Sequence, residues 1–71
     1  MFVEIYYGRY VRANNVLSVT ATKEDVNPKG LFVKTIVNGA TETDFVPFDT
    51  DFATVAEHAR QFAMMVERVS K

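Results

Sequence analysis

The hydrophobic period of this chain changes once, at Pro47. Before it, from Phe2 to Val46, β-branched and aromatic residues crowd short segments separated by Asn, Gly and Pro. After it, Phe52, Val55, Ala56, Ala59, Phe62, Ala63, Val66 and Val69 recur at i, i+3, i+4 and i+7. On a helix that spacing gathers them into an arc of about 140°. A strand period of two and a helix period of about 3.6 do not substitute for one another. The order is therefore strands first and a helix last.

Three turn signals divide the first part. Asn14-Asn15 suits a two-residue hairpin, because asparagine tolerates positive φ. Residues 24–30 form a longer loop marked by Asn27-Pro28 and Gly30. Asn38-Gly39 is the strongest short hairpin signal in the chain. The sequence thus predicts strands over residues 2–12, 16–23, 31–37 and 40–48. Pro47, which lacks an N–H, marks the end of the fourth strand or a sheet edge. A helix follows over about residues 50–70. Asp49, Thr50 and Asp51 supply its cap, Arg68 and Lys71 place positive charge at its C-terminus, and Glu67 with Lys71 makes an i, i+4 pair. The expected fold is α+β and a single domain: two hairpins in one four-stranded antiparallel sheet, covered by one C-terminal amphipathic helix (ββββα).

The first segment, F-V-E-I-Y-Y-G-R-Y-V-R, loses its alternation at Gly8. With Asn14-Asn15 as the turn, Arg12 opposes Leu17, Tyr10 opposes Val19 and Gly8 opposes Ala21, and opposed residues share a face. Leu17, Val19 and Ala21 form the apolar side against Ser18, Thr20 and Thr22, which turns Tyr10 inward. Strict alternation would then turn Phe2, Glu4 and Tyr6 inward as well, a poor core. One extra residue at Gly8-Arg9 brings Val3, Ile5 and Tyr7 to the core face beside Tyr10. The expectation is a β-bulge at Gly8. A second tight turn there, splitting the segment into two short strands, is the alternative.

The Asn38-Gly39 hairpin sorts its residues into two sets. Leu31, Val33, Val37, Val46 and Phe48 share one side. Phe32, Lys34 and Ile36 share the other with Thr41, Thr43 and Phe45. Both sides carry large apolar residues, yet one helix covers one face. Phe32, Ile36 and Phe45 are left over, with Phe2 and Tyr6 expected nearby. An apolar surface of this kind marks an interface. Pairing with a second copy is the first expectation, since two-fold dimers are the commonest oligomers; a different protein partner is the second. On the polar side of the helix, Met64 is a further contact candidate, because methionine adapts to a partner's shape.

Size sharpens that expectation. A chain of 71 residues buries a smaller fraction of its surface than a larger domain does. Small scaffolds compensate with disulfides, metals or partners. The chain has no cysteine and one histidine, His58, which excludes disulfides, thiolate metal sites and multi-histidine sites. Association remains. No chemistry competes with it. His58 sits at the edge of the helix stripe beside Met65. Ser18 and Ser70 have no His–acid partners. Glu42 and Asp44, two apart on a hairpin, are too few for a cation site and read as a solvated hairpin tip. The three glycines are isolated, so no phosphate-binding loop exists. The chain reads as non-enzymatic, with no catalytic residue, cofactor or metal.

Eight Lys/Arg against nine Asp/Glu give no electrostatic footprint for duplex nucleic acid. No apolar run approaches a membrane span and no signal-peptide pattern opens the chain, so a cytoplasmic protein without membrane contact is expected. The alternative to protein binding is a single-stranded nucleic-acid binder. It would stack bases on Phe2, Tyr6, Phe32 and Phe45 and hold the backbone with Arg9, Arg12 and Lys34. The leading reading is a small accessory protein, of the kind that bacteria or phages use to modulate a partner by occupying its surface. It acts through an apolar sheet surface as a homodimer.

Overall fold

The computed structural model describes residues 1–70. It is α+β, with strands β1 (Phe2–Tyr6), β2 (Arg9–Arg12), β3 (Val16–Ala21), β4 (Gly30–Val37) and β5 (Ala40–Pro47) and one C-terminal helix, α1 (Phe52–Val69). The strands do not form one sheet. β1 and β2 make a two-stranded antiparallel sheet, and β3, β4 and β5 make a three-stranded one in that order.

The division begins at Gly8. Tyr6 opposes Arg9, so Tyr7 and Gly8 are the two residues of a tight turn, and Gly8 carries a φ of 89°. Glycine reaches that conformation without the Cβ clash that other residues meet. The turn, and not the expected bulge, splits the segment over residues 2–12. Register does slip by one residue in this hairpin, but between Glu4 and Tyr6. Tyr7 therefore stands at the turn, 97% exposed, and Tyr10 faces outward opposite Glu4; neither joins the core.

Asn14-Asn15 does not make a hairpin either. Ala13–Asn15 is a short 3-10 turn that carries the chain from one sheet to the other. Ala13 is buried, and its N–H donates to the carbonyl oxygen of Met1 at 2.8 Å, extending the β1–β2 ladder by one step. The positive φ of a two-residue hairpin falls instead on Asn38 (51°) and Gly39 (82°), which join β4 to β5. On β3 the register against β4 slips between Val16 and Ser18. Leu17 is turned out by this bulge and is 54% exposed, whereas Val19 and Ala21 keep the inner face opposite Val33 and Leu31.

The helix begins where the cap residues predict. Asp51 accepts a hydrogen bond from the Thr54 N–H at 2.8 Å. That bond holds the Asp51 carboxyl below its ordinary range. The pairing proposed for Lys71 lies outside the described residues. Helix α1 packs across β3 and the 3-10 turn, while β1 lies against β5. Val3, Ile5, Val11, Ala13, Val33 and Val66 fill the space between the two sheets and the helix. Phe62, expected at the centre of the core arc, is half-buried, and the residues of α1 buried most deeply are Val55 and Val66. Apolar residues of the two sheets thus share one core, and each sheet turns its other face outward.

One glycine fixes how closely β4 and β5 approach. Gly30 opposes Pro47, and a Cβ built on it would clash severely with the carbonyl oxygen of Val46 and fall 2.9 Å from the Phe45 ring. Its N–H donates to the hydroxyl of buried Thr22, and its carbonyl accepts from the Thr22 N–H at 3.0 Å. The sequence marks Gly30 as a loop residue; the structure makes it the first residue of a strand.

Candidate interaction surfaces

The candidate residues fall on three separate surfaces. The first is the outer face of the three-stranded sheet. Phe32 opposes Phe45 directly, Lys34 opposes Thr43, and Ile36 opposes Thr41. The Phe32 and Phe45 rings lie 5.0 Å apart, tilted by 42°, within the spacing that aromatic pairs favour. Phe32 is 41% exposed and Ile36 is 38% exposed. Alternation dictates this: Leu31, Val33 and Thr35 are buried on the inner side, so their neighbours along β4 must point outward. The result is an apolar face across two strands, interrupted between Phe32 and Ile36 by Lys34 and Thr43.

The second surface is the outer face of the β1–β2 hairpin. Phe2 opposes Arg12, whose guanidinium carbon sits 5.2 Å from the ring centroid, a cation–π distance. Tyr10, opposite Glu4, and Tyr6, beyond the register slip opposite Arg9, are about half exposed. The Tyr10 hydroxyl is pushed above its ordinary pKa by the negative charge of Glu4 and by their hydrogen bond. Val3, Ile5 and Val11 point from this hairpin into the common core, so Phe2 and Tyr6 face away from it. The structure does not join Phe2 and Tyr6 to Phe32, Ile36 and Phe45, contrary to the expectation that they would lie nearby.

Met64 occupies the third. It lies on the solvent side of α1, and Arg60 Nη1 approaches its sulfur at 3.1 Å. Arg60 and Gln61 also donate to Glu57. These hydrogen bonds, that of Arg60 first, draw the Glu57 carboxyl down to about 2. Met64 therefore belongs to a helix-surface network rather than to either sheet face.

The polar groups considered for chemistry are engaged in structure. Glu42 and Asp44 do not form a solvated tip: Arg9 Nη2 donates to Glu42 Oε1 at 3.0 Å and to Asp44 Oδ2 at 3.3 Å. Those two carboxylates, Asp44 foremost, raise the Arg9 pKa. The contact ties the end of the β1–β2 hairpin to β5. The His58 ring stacks flat on Phe48, with centroids 4.9 Å apart. Among the described residues, no group of three or more His, Cys, Asp or Glu side chains converges. No helix among them is long and apolar enough to cross a membrane.

One surface escapes sequence reasoning altogether. Between β3 and the C-terminal half of α1 runs a groove of about 390 Å³, lined by the apolar Ala13, Val16, Leu17, Val19, Ala63 and Val66 and by the polar Asn14, Ser18, Glu67 and Ser70. Leu17 stands on its border because of the β3 bulge. Nothing in V-L-S-V-T-A announces that bulge, and simple alternation places Leu17 in the core. No protein-family model, curated protein or solved structure matches the chain.

Proposed function

We propose that this chain is a non-enzymatic interaction protein, an accessory factor that works through the outer face of its three-stranded sheet as a homodimer. The observation that supports it is the Phe32–Phe45 pair with Ile36 on the same face, Phe32 and Ile36 exposed and Phe45 partly buried beside Phe32. Removing apolar area from water contributes roughly 25 cal/mol per Å². Three such side chains, buried against their copies, supply several kcal/mol, from which the entropy cost of association is subtracted. The face suits self-pairing. Its one charge, Lys34, stands on the central strand between Phe32 and Ile36, opposite Thr43 and Ser18, and its long side chain can carry the ammonium out to water.

The single-stranded nucleic-acid reading gains less support. Arg9 and Arg12 lie on the hairpin, with Arg9 held by two carboxylates, while Lys34 lies on the other sheet. The cations and aromatics that reading requires are thus divided between two surfaces.

Sedimentation of the purified chain at micromolar concentration tests the proposal. Phe45→Glu and Ile36→Lys should weaken association while the circular dichroism of the helix is retained. A wild-type chain that stays monomeric, or variants that associate as the wild type does, would refute it. Binding of a labelled single-stranded oligonucleotide that weakens as salt rises would favour the alternative.

A further inference from the structure

The three-stranded sheet has two edges, and they differ. The β5 edge carries Glu42, Asp44 and Pro47, is approached by β1, and is crossed by Arg9 reaching to both carboxylates. Charges, proline and covering elements are the means by which proteins keep an edge strand from pairing with another chain. The β3 edge has α1 packed across its strand and a bulge between Val16 and Ser18, but neither charge nor proline. V-L-S-V-T-A contains no charged residue and no proline, and β3 pairs with β4 alone. Its free side carries backbone N–H and C=O groups with no strand opposite them. Beside that ladder lie the protruding Leu17 and the groove against α1, with Ala13, Val16 and Val66 among its walls.

We propose that β3 pairs antiparallel with β3 of a second copy, about a two-fold axis, to give a continuous six-stranded sheet. Three features select a second copy as the occupant. A free ladder is matched only by another extended strand. The β3 edge is the open edge that a second copy offers, its β5 edge being guarded. A neutral strand laid antiparallel on itself brings no like charges together, whereas β5 on β5 would set carboxylates against carboxylates. Across the axis, the two Leu17 side chains meet and the two grooves face each other, each mixing apolar walls with the polar Asn14, Ser18, Glu67 and Ser70. This contact is separate from the face-to-face pairing and leaves Phe32, Ile36 and Phe45 of both copies on the outer surface.

Two contacts on one chain predict species larger than a dimer, and variants separate them. Leu17→Lys places a charge in the seam and should leave only the face-to-face dimer. Leu17→Glu, of opposite charge at the same position and away from Phe32, should do likewise, so that an effect peculiar to one variant does not decide the matter. Phe45→Glu should leave only the edge-paired dimer. Combined with Leu17→Lys, it should leave a monomer. Amide exchange at Leu17–Thr20 should slow with rising concentration in the wild type and in Phe45→Glu, but not in Leu17→Lys. The edge contact is overturned if both Leu17 variants sediment as the wild type does, or if Phe45→Glu alone is monomeric. The face-to-face reading is overturned instead if Phe45→Glu changes nothing and Leu17→Lys alone gives a monomer.

Discussion

Gly30→Ala is the smallest change expected to damage this fold severely. The added methyl would clash severely with the Val46 carbonyl oxygen and press on the Phe45 ring. A ring can rotate, but a backbone carbonyl inside a sheet ladder cannot move without the ladder. Overpacking of that kind costs about 1–3 kcal/mol. Separating β4 from β5 here also strains the two hydrogen bonds between Gly30 and Thr22, each worth about 1 kcal/mol. Alanine returns about 0.5–1 kcal/mol by restricting the unfolded chain. The net loss is about 2–4 kcal/mol, against a total stability on the order of 5 kcal/mol for a domain of this size. In a chain this short each kcal/mol moves the melting temperature by about 4–8 °C, so a fall of at least about 10 °C is expected by circular dichroism. Gly8→Ala and Gly39→Ala are the controls. Both sites have positive φ but open space around the missing Cβ, so only the backbone penalty of about 1–2 kcal/mol applies. A Gly30→Ala melt within a few degrees of wild type, or one no worse than the controls, would refute the close approach of β4 and β5.

Two further perturbations read other parts of the fold. Thr35 is fully buried and its hydroxyl has no hydrogen-bond partner among the described residues; Thr35→Val should raise stability by about 1 kcal/mol in urea titration, because it removes an unsatisfied polar atom at nearly constant shape. Glu57 is held down to about 2 from its ordinary 4.5, so the stability it contributes is present above the unfolded value and is lost as pH falls toward the folded one. The wild-type melting temperature should therefore fall more steeply than that of Glu57→Gln between those two values, and parallel curves would show that the Arg60–Glu57 pair contributes nothing measurable.

The parts of the fold legible in the sequence are those set by local signals. Asn38-Gly39 places positive φ where a tight hairpin needs it, and that turn locks the register of β4 on β5. Once register is set, alternation decides which side chains face out, so the separation of Phe32, Ile36 and Phe45 from Leu31, Val33 and Val46 follows from the sequence. The helix is legible because its apolar spacing and its Asp51 cap agree. The first half is different. Asn14-Asn15 and Gly8 are two turn signals six residues apart, and sequence alone does not say which closes the hairpin. The choice is made by long-range packing: Val3, Ile5 and Val11 reach the core only if β1 pairs with β2 and Ala13 turns the corner. Assigning the turn to the asparagines put Tyr7 and Tyr10 inside and merged two sheets into one.

That same error hid the edge of β3. In a four-stranded sheet the strand that follows the asparagines would be central, paired on both sides, and its lack of charge would need no explanation. Separating β1 and β2 into their own sheet leaves β3 with one neighbour, and an uncharged strand then becomes an exposed one. The bulge between Val16 and Ser18 acts in two directions. Bulges blunt edges by twisting them away, but this one also lifts Leu17 out of the core and sets it beside the groove under α1. A bulge that served only to protect the edge would be expected to carry a polar residue outward. Placing a leucine there adds apolar area at the point where a second chain would arrive, and this is why the Leu17→Lys substitution, rather than a change at the sheet's centre, is the sharper probe of assembly.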